Sequence, residues 1–279
     1  MTAPAARPLP SPRRVRAVQR RLLGWYAENR RDLPWRRTTD PYAILVSEVM
    51  LQQTQVPRVV PRFTEWLDAW PDLESLAAAP LADVLRRWQG LGYNTRARRL
   101  QACAQAAVEA APQGRRAELP RTPEELRALP GIGPYTARAV LVFAHNADLA
   151  AVDANVRRVL LHEFRLPADL DEKDVQAVAD AALPLGHSRD WHNALMDYGS
   201  AVLTARRSGI ASRSAQGAFE GSRRQKRARL LRHLLDSGPL PVNELAAALG
   251  LGPDETADVL ERLRRDGLVD ELDGAWTVA

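Results

Sequence analysis

Apolar residues recur at helical spacing along most of the chain, and prolines and glycines break the pattern at nearly every junction. Val18, Leu22, Leu23, Trp25 and Tyr26 make one stripe of a helix over Val15–Asn29. Asp40 and Pro41 open a second helix over Pro41–Gln55, Asp as a cap and Pro at the first turn, where a missing N–H costs nothing. The same reasoning places helices at Arg58–Ala69, Ser75–Ala79, Leu81–Trp88, Asn94–Ala111, Thr122–Ala128, Pro134–Phe143, Asn155–Glu163, Glu172–Ala182 and Trp191–Thr204. No alternating run is long enough for a major sheet, so residues 15–205 read as an all-α domain. After Thr204 the apolar residues thin out, and residues 206–222 read as a basic linker. Residues 223–279 then give three short helices and a hairpin around Asp273-Gly274, the order of a winged-helix-like unit.

Composition narrows the class. A chain of 279 residues, 46% hydrophobic, can bury a sizeable core. The net charge of +5 is compatible with a polyanionic partner but does not require one. The one cysteine, Cys103, excludes an intrachain disulfide and any Cys-rich metal site, and reads as a small buried residue. No apolar run approaches the ~20 residues of a membrane span. Residues 1–14 lack the apolar core of a signal peptide and read as a disordered lead-in to a cytoplasmic protein. The five histidines are scattered, and His187 and His192, without acidic or thiol company, read as surface residues rather than metal ligands.

Three segments carry candidate chemistry. Leu129-Pro130-Gly131-Ile132-Gly133 lies between two predicted helices. Its glycines permit a tight turn and close approach of another molecule, and the amides opening the next helix suit a DNA phosphate. The plainer alternative is a tight helix–helix turn. In the segment from Ala151 to Val159, Asp153 stands where an apolar stretch meets a new helix, and a simple N-cap accounts for it equally well, with Asn155 helping to start the helix. In Ser47-Glu48-Val49-Met50-Leu51-Gln52-Gln53, Glu48 sits among Leu45, Val46, Val49 and Leu51. A carboxyl in a dry helix has its pKa raised, as a general acid near neutral pH needs.

Together these segments resemble the endonuclease III-like, helix-hairpin-helix DNA glycosylases, and within them the MutY-type adenine glycosylases. Arg31 to Arg36 resembles the family's entry motif, Ser47 to Val56 its catalytic helix and Gly90-Leu91-Gly92-Tyr93 its wedge loop. Leu129 to Ala139, Val152 to Val159 and Ala194-Leu195-Met196-Asp197 follow in order, so the resemblance runs from about Leu22 to Ala205. It implies a two-lobed helical fold and a base-flipping DNA repair enzyme acting as a monomer on double-stranded DNA with a mispaired or damaged base. Glu48 would protonate adenine N7, and Asp153, ionised, would stabilise the oxocarbenium-like sugar. Tyr135 and Asn155 would line the catalytic pocket. Arg31, Trp35, Leu51 and Asp197 would contact or shape the flipped base, and Gln53 and Tyr93 would wedge into the stack it left. Gly131, Gly133, Thr136 and Arg157, with Arg223 and Arg224 beyond the linker, are the expected DNA contacts. Lyase-competent relatives carry a Lys where Tyr135 stands, so the expected enzyme is monofunctional.

Two departures shape the reading. The stretch Ser200–Ser208, where most relatives place cluster cysteines, has none, so no iron–sulfur cluster is expected. The domain with which larger members read 8-oxoguanine is not expected here, where residues 223–279 read as the winged-helix-like unit instead, and this leaves recognition of the opposite guanine open. Nine Lys or Arg fall between Arg206 and Arg232 against one acid, Glu220, which favours DNA nearby, whereas the acidic third helix (Asp254, Glu255, Asp258, Glu261) favours packing or a protein partner. The expectation is an adenine glycosylase acting opposite 8-oxoguanine or guanine, in the cytoplasm or on a bacterial nucleoid. A thymine or uracil mismatch glycosylase is the alternative within enzymes, and a non-catalytic DNA-binding module the alternative outside them.

Overall fold

The computed structural model describes residues 9–210 and 217–279. Residues 1–8 of the expected lead-in and 211–216 of the expected linker lie outside the described residues. The helices are α1 Pro12–Asn29, α2 Pro41–Leu51, α3 Val56–Ala69, α4 Leu73–Ala78, α5 Leu81–Trp88, α6 Thr95–Glu109, α7 Pro123–Ala128, α8 Pro134–His145, α9 Ala154–Phe164, α10 Glu172–Ala181, α11 Ser188–Ala201, α12 Ala205–Ser208, α13 Arg223–Ser237, α14 Val242–Leu249 and α15 Pro253–Arg265. A 3-10 turn, Pro34–Arg36, precedes α2. Among the described residues the only strands are β1 Val269–Leu272 and β2 Ala275–Val278, antiparallel with Val269 opposite Val278. The all-α reading holds, and among the described residues no helix is long and apolar enough to cross a membrane.

The chain divides into two compact units. The first holds the described residues up to Ile44, Arg121–Leu126 and those from Gly133 to Ile210. Its core joins Val15, Val18 and Leu22 of α1 to Val156, Val159 and Leu160 of α9 and Trp191 and Leu195 of α11. α1 begins at Pro12, three residues before the expected start, because Ser11 caps it by accepting from the Arg14 N–H and Pro12 suits the first turn.

The second unit holds Leu45–Pro120, Arg127–Ile132 and the residues from 217 onward. Trp66 is fully buried in edge-to-face contact with Trp70 and Trp88, at centroid distances of 4.8 and 5.4 Å. The C-terminal helices bury Leu230, Leu231, Leu234, Leu260 and Leu263, and Leu240 pairs with Trp276 at the hairpin. These helices do not stand apart. α13 packs on α5, and Arg86 Nη2 donates to the Leu235 carbonyl at 3.0 Å.

Candidate active site

In the second unit, α2 carries Glu48. Every residue from Tyr42 to Met50 is buried, Glu48 itself being 8% exposed. A helix apolar all round belongs inside a core, so the one carboxyl on it sits in a water-poor place. α2 ends at Leu51, four residues before the expected end, because Gln53 adopts the left-handed region (φ 56°). Tyr93, in the Gly90–Tyr93 loop, does the same (φ 49°). Both expected wedge residues are thus held in a conformation L side chains rarely adopt, and both are exposed.

What holds them is Arg96, which the sequence reading missed. Its guanidinium is 9% exposed. Nη1 donates to the carbonyls of Val49 (2.8 Å), Met50 (3.1 Å) and Gln52 (2.5 Å), capping α2. Nη2 donates to Thr54 Oγ1 (3.1 Å) and the carbonyls of Leu91 and Gly92 (both 3.0 Å). One side chain therefore ties the end of the Glu48 helix to the Tyr93 loop. Burial brings its pKa down to about 10, so it is still charged at neutral pH. The Arg-x-Arg spacing after Gly-Leu-Gly-Tyr gave no sign of this, because the α2 acceptors are backbone groups more than 40 residues away.

Ile132 N–H donates to the Leu129 carbonyl (3.3 Å), closing the turn of the hairpin motif. Gly131 has φ 79°, and a Cβ there would come within 2.7 Å of Arg99 Cβ, so both the backbone and the packing require glycine.

In the first unit, Gly133 is the N-cap of α8 and makes no side-chain cap bond. A Cβ at Gly133 would meet nothing within 4 Å, which leaves that helix start open. Tyr135, half-buried, lies in the first turn. Thr136, an expected DNA contact, is 3% exposed and sits on α8's buried face, so a phosphate would meet its backbone amide rather than its hydroxyl. Arg157, also an expected DNA contact, is half-buried and donates from Nη2 to the carbonyls of Ala168 (2.5 Å) and Leu170 (3.3 Å).

Asp153 caps α9. Its Oδ1 accepts from Val156 N–H at 2.6 Å and its Oδ2 from Asn155 Nδ2 at 3.2 Å. Asn155 Oδ1 in turn accepts from Arg158 Nη2 (2.5 Å), and Arg158 also donates to the carbonyls of Leu203 (2.7 Å) and Gly199 (2.8 Å). A Cβ at Gly199 would lie 3.0 Å from Asn155 Cβ and 3.1 Å from Val159 Cγ2, so a larger residue there would make α9 give by a few tenths of an ångström. Burial pushes the Asp153 carboxyl above the ordinary carboxylate range, against the pull of its Val156 and Asn155 donors and the Arg158 charge. The segment leading to it is fixed by His192, whose Nε2 accepts from Ala151 N–H at 2.9 Å while Nδ1 lies 2.6 Å from the Ser188 carbonyl. With Nε2 as acceptor, Nδ1 carries the proton, so the ring is neutral, and burial lowers its pKa accordingly. His192, 1% exposed, is therefore no surface residue as expected, whereas His187 is.

Asp197, on α11, is 1% exposed and meets two arginines. Arg36 donates from Nη1 to Oδ2 (2.8 Å) and from Nη2 to Oδ1 (2.9 Å), and Arg31 donates from Nε to Oδ1 (2.6 Å) and from its backbone N–H to Oδ2 (3.2 Å). Arg31 and Asp197 are thus brought together, and the unforeseen Arg36 completes the pair. Trp35 is buried beside them in the 3-10 turn. Burial pushes the Asp197 carboxyl up, but Arg36 and Arg31 outweigh it and hold it below the usual range. A depressed folded-state pKa stabilises above the unfolded value of about 3.9 and is lost as pH falls through the folded one. Asp197→Asn should therefore cost about 3 kcal/mol at neutral pH, a loss typical of breaking a buried pair. In thermal melts the gap to the parent should close below about pH 4. A gap independent of pH would show that the charge is not what stabilises.

Cluster chemistry does not fit this chain. After α11, Thr204 caps α12 by accepting from Arg207 N–H, and the stretch offers no thiolate. The sole cysteine, Cys103, is buried on α6 with its thiol pushed up to about 12 by burial. A four-thiolate cluster has no ligands here.

The comparisons with known proteins follow this geometry. Residues 46–184 match the model of the HhH-GPD superfamily base excision DNA repair proteins. The adenine DNA glycosylase of Mycolicibacterium smegmatis is 38% identical over 282 residues, covering 92% of this chain and 94% of that protein. The human adenine DNA glycosylase is 36% identical over 249 residues, 85% of this chain and 45% of the human one, so this chain spans less than half of that relative. The solved structure of a thermostable thymine-DNA glycosylase superposes with a TM-score of 0.63 at 28% identity, over 70% of this chain and 90% of that one. With a relative this similar along nearly the whole of both sequences, the chain belongs to the adenine DNA glycosylases of the HhH-GPD superfamily of base excision DNA repair proteins.

Proposed function

We propose that this enzyme, working as a monomer on duplex DNA in the cytoplasm or on a nucleoid, hydrolyses the N-glycosidic bond of adenine mispaired with 8-oxoguanine or guanine, and leaves an abasic site without cutting the strand. The observation that carries the proposal is a carboxyl, Glu48, 8% exposed on a helix buried from Tyr42 to Met50 in a chain of this family. Glu48 delivers a proton to adenine N7, the C1′–N9 bond breaks, and the base departs neutral. Asp153 stabilises the positive charge growing on the sugar until water adds at C1′. Tyr135 and Asn155 are assigned to the catalytic step with Asp153, and Trp35, Leu51 and Arg31 to contacts with the flipped base, with Asp197 positioning Arg31. Gln53 and Tyr93 fill the gap in the stack, and Gly131 and Gly133 admit the phosphate backbone. Tyr135 cannot form a Schiff base, which is why no strand cutting is expected.

Thymine or uracil release is the second reading, favoured by the likeness to a thymine-DNA glycosylase. Labelled duplexes carrying A:8-oxoG, A:G, T:G and U:G, treated with and without alkali, separate the two. Strand breakage at A only after alkali is the expected result. Breakage at T or U would move the substrate, and breakage without alkali would overturn the monofunctional assignment.

A further inference from the structure

Within the second unit, a cavity of about 600 Å³ lies between the Gly90–Thr95 loop and α13. That is within the size of sites that take a small ligand, roughly 300–1,000 Å³. Its wall alternates rings and guanidinium groups. Arg224 Nη1 donates to Tyr93 Oη at 2.7 Å, and its guanidinium carbon lies 5.6 Å from the Tyr93 ring centroid and 6.0 Å from that of Phe219. Behind Tyr93, Arg96 lies 5.6 Å from the same ring and 5.3 Å from Trp88. The series Trp88, Arg96, Tyr93, Arg224, Phe219 is thus a continuous cation–π ladder that ends on a phenyl ring 50% open to solvent. Arg58 and Arg232 also line the cavity, both exposed, and neither has an ion-pair partner among the described residues. The acid on the wall, Asp266, is already paired with Arg227.

We infer that this groove holds an unpaired nucleotide of a DNA strand, its base stacked on Phe219 and its phosphates on Arg58 and Arg232. An open aromatic platform beside unpaired cations is the chemistry that recognises single strands without reading their sequence. Fully stacked duplex offers no base face to Phe219. A nucleotide released beside a wedge residue such as Tyr93 does. Phe219, just before α13, and Arg224 and Arg232 on α13 complete the groove, which gives the C-terminal segment a role at the DNA. The inference rests on the DNA-binding half of the proposed function and not on its chemistry.

The test is fluorescence anisotropy of the full chain with a labelled ten-nucleotide oligothymidylate across a salt series. The parent should bind, and the triple variant Phe219→Ala, Arg58→Ala, Arg232→Ala should bind at least tenfold more weakly. Its log–log salt slope should be shallower by about 1.4, since each single-strand phosphate contact contributes about 0.7. Phe219→Trp should keep the affinity, and Arg232→Glu alone, at an exposed helix position, should reproduce part of the loss. No binding by the parent, or affinities of parent and triple variant within twofold, would overturn the inference. Adenine release from an A:G duplex, run on the same preparations, separates the two claims. Binding of oligothymidylate without base release upholds the groove and defeats the proposed chemistry, and base release without such binding does the reverse.

Discussion

Glu48→Gln should leave duplex binding within a few-fold of the parent and lower the single-turnover rate of adenine release about 10²–10⁴-fold, the range a general acid contributes. The amide matches the carboxyl in shape, so the buried helix from Tyr42 to Met50 keeps its packing. Asp153→Asn should cost a comparable factor by a different route. Asn is as good an N-cap as Asp, so its one amide oxygen can go on accepting from Val156 N–H and α9 keeps its start, while the charge and the bond from Asn155 Nδ2 are lost. pH separates the two residues. In the proposed mechanism Asp153 acts ionised, and burial raises its carboxyl above the ordinary range. The parent rate should therefore decline as pH falls through a limb set above the usual carboxylate value of about 3.9, and Asp153→Asn should lose that limb. A Glu48→Gln enzyme that frees adenine at the parent rate would remove Glu48 from the chemistry.

The contrast between what periodicity reveals and what it hides falls along a physical line. Helices whose apolar stripe repeats locally, such as α1, α5 and α9, were legible within a few residues. So were the carboxyls, because an Asp at a helix start and a Glu in an apolar helix are local patterns. Features set by remote backbone were not. The early end of α2 is imposed by Arg96, from a helix more than 40 residues later. His192 looked like a surface residue because the amide it accepts from belongs to Ala151. Arg36 stood inside a motif already noticed, yet only the fold brings it against Asp197. Gly131 and Gly133 look alike in sequence, but the structure requires glycine at the first through φ and contact with Arg99, and leaves the second open. The division into units was also illegible. The chain passes from one unit to the other in the middle of α2, between Ile44 and Leu45, where the apolar pattern is unbroken.

Arg96→Ala should be the most destabilising single change in the second unit. It removes donors from five carbonyls and one hydroxyl, several of them buried. Bonds to a charged donor contribute about 1.5–3 kcal/mol each, and abandoned acceptors add a desolvation cost, although local relaxation recovers part of both. A net loss of about 3–4 kcal/mol follows, near the upper end for point substitutions, with a melting temperature lower by about 10 °C. Arg96→Lys keeps one charge and three donors but lacks the planar fork that serves α2 and the Tyr93 loop at once, so it should recover less than half of that. Function should respond separately from stability. In Arg96→Lys, held well below its melting point, Gln53 and Tyr93 lose the tie that keeps their left-handed backbones in place. Base extrusion should then weaken while the proton transfer does not. 2-Aminopurine placed at the target position reports this directly, because its emission rises when it leaves the stack. The expected result is a reduced emission change together with a higher KM and a kcat that falls less. Parent-like emission in a folded Arg96→Lys enzyme would restrict Arg96 to a purely structural role.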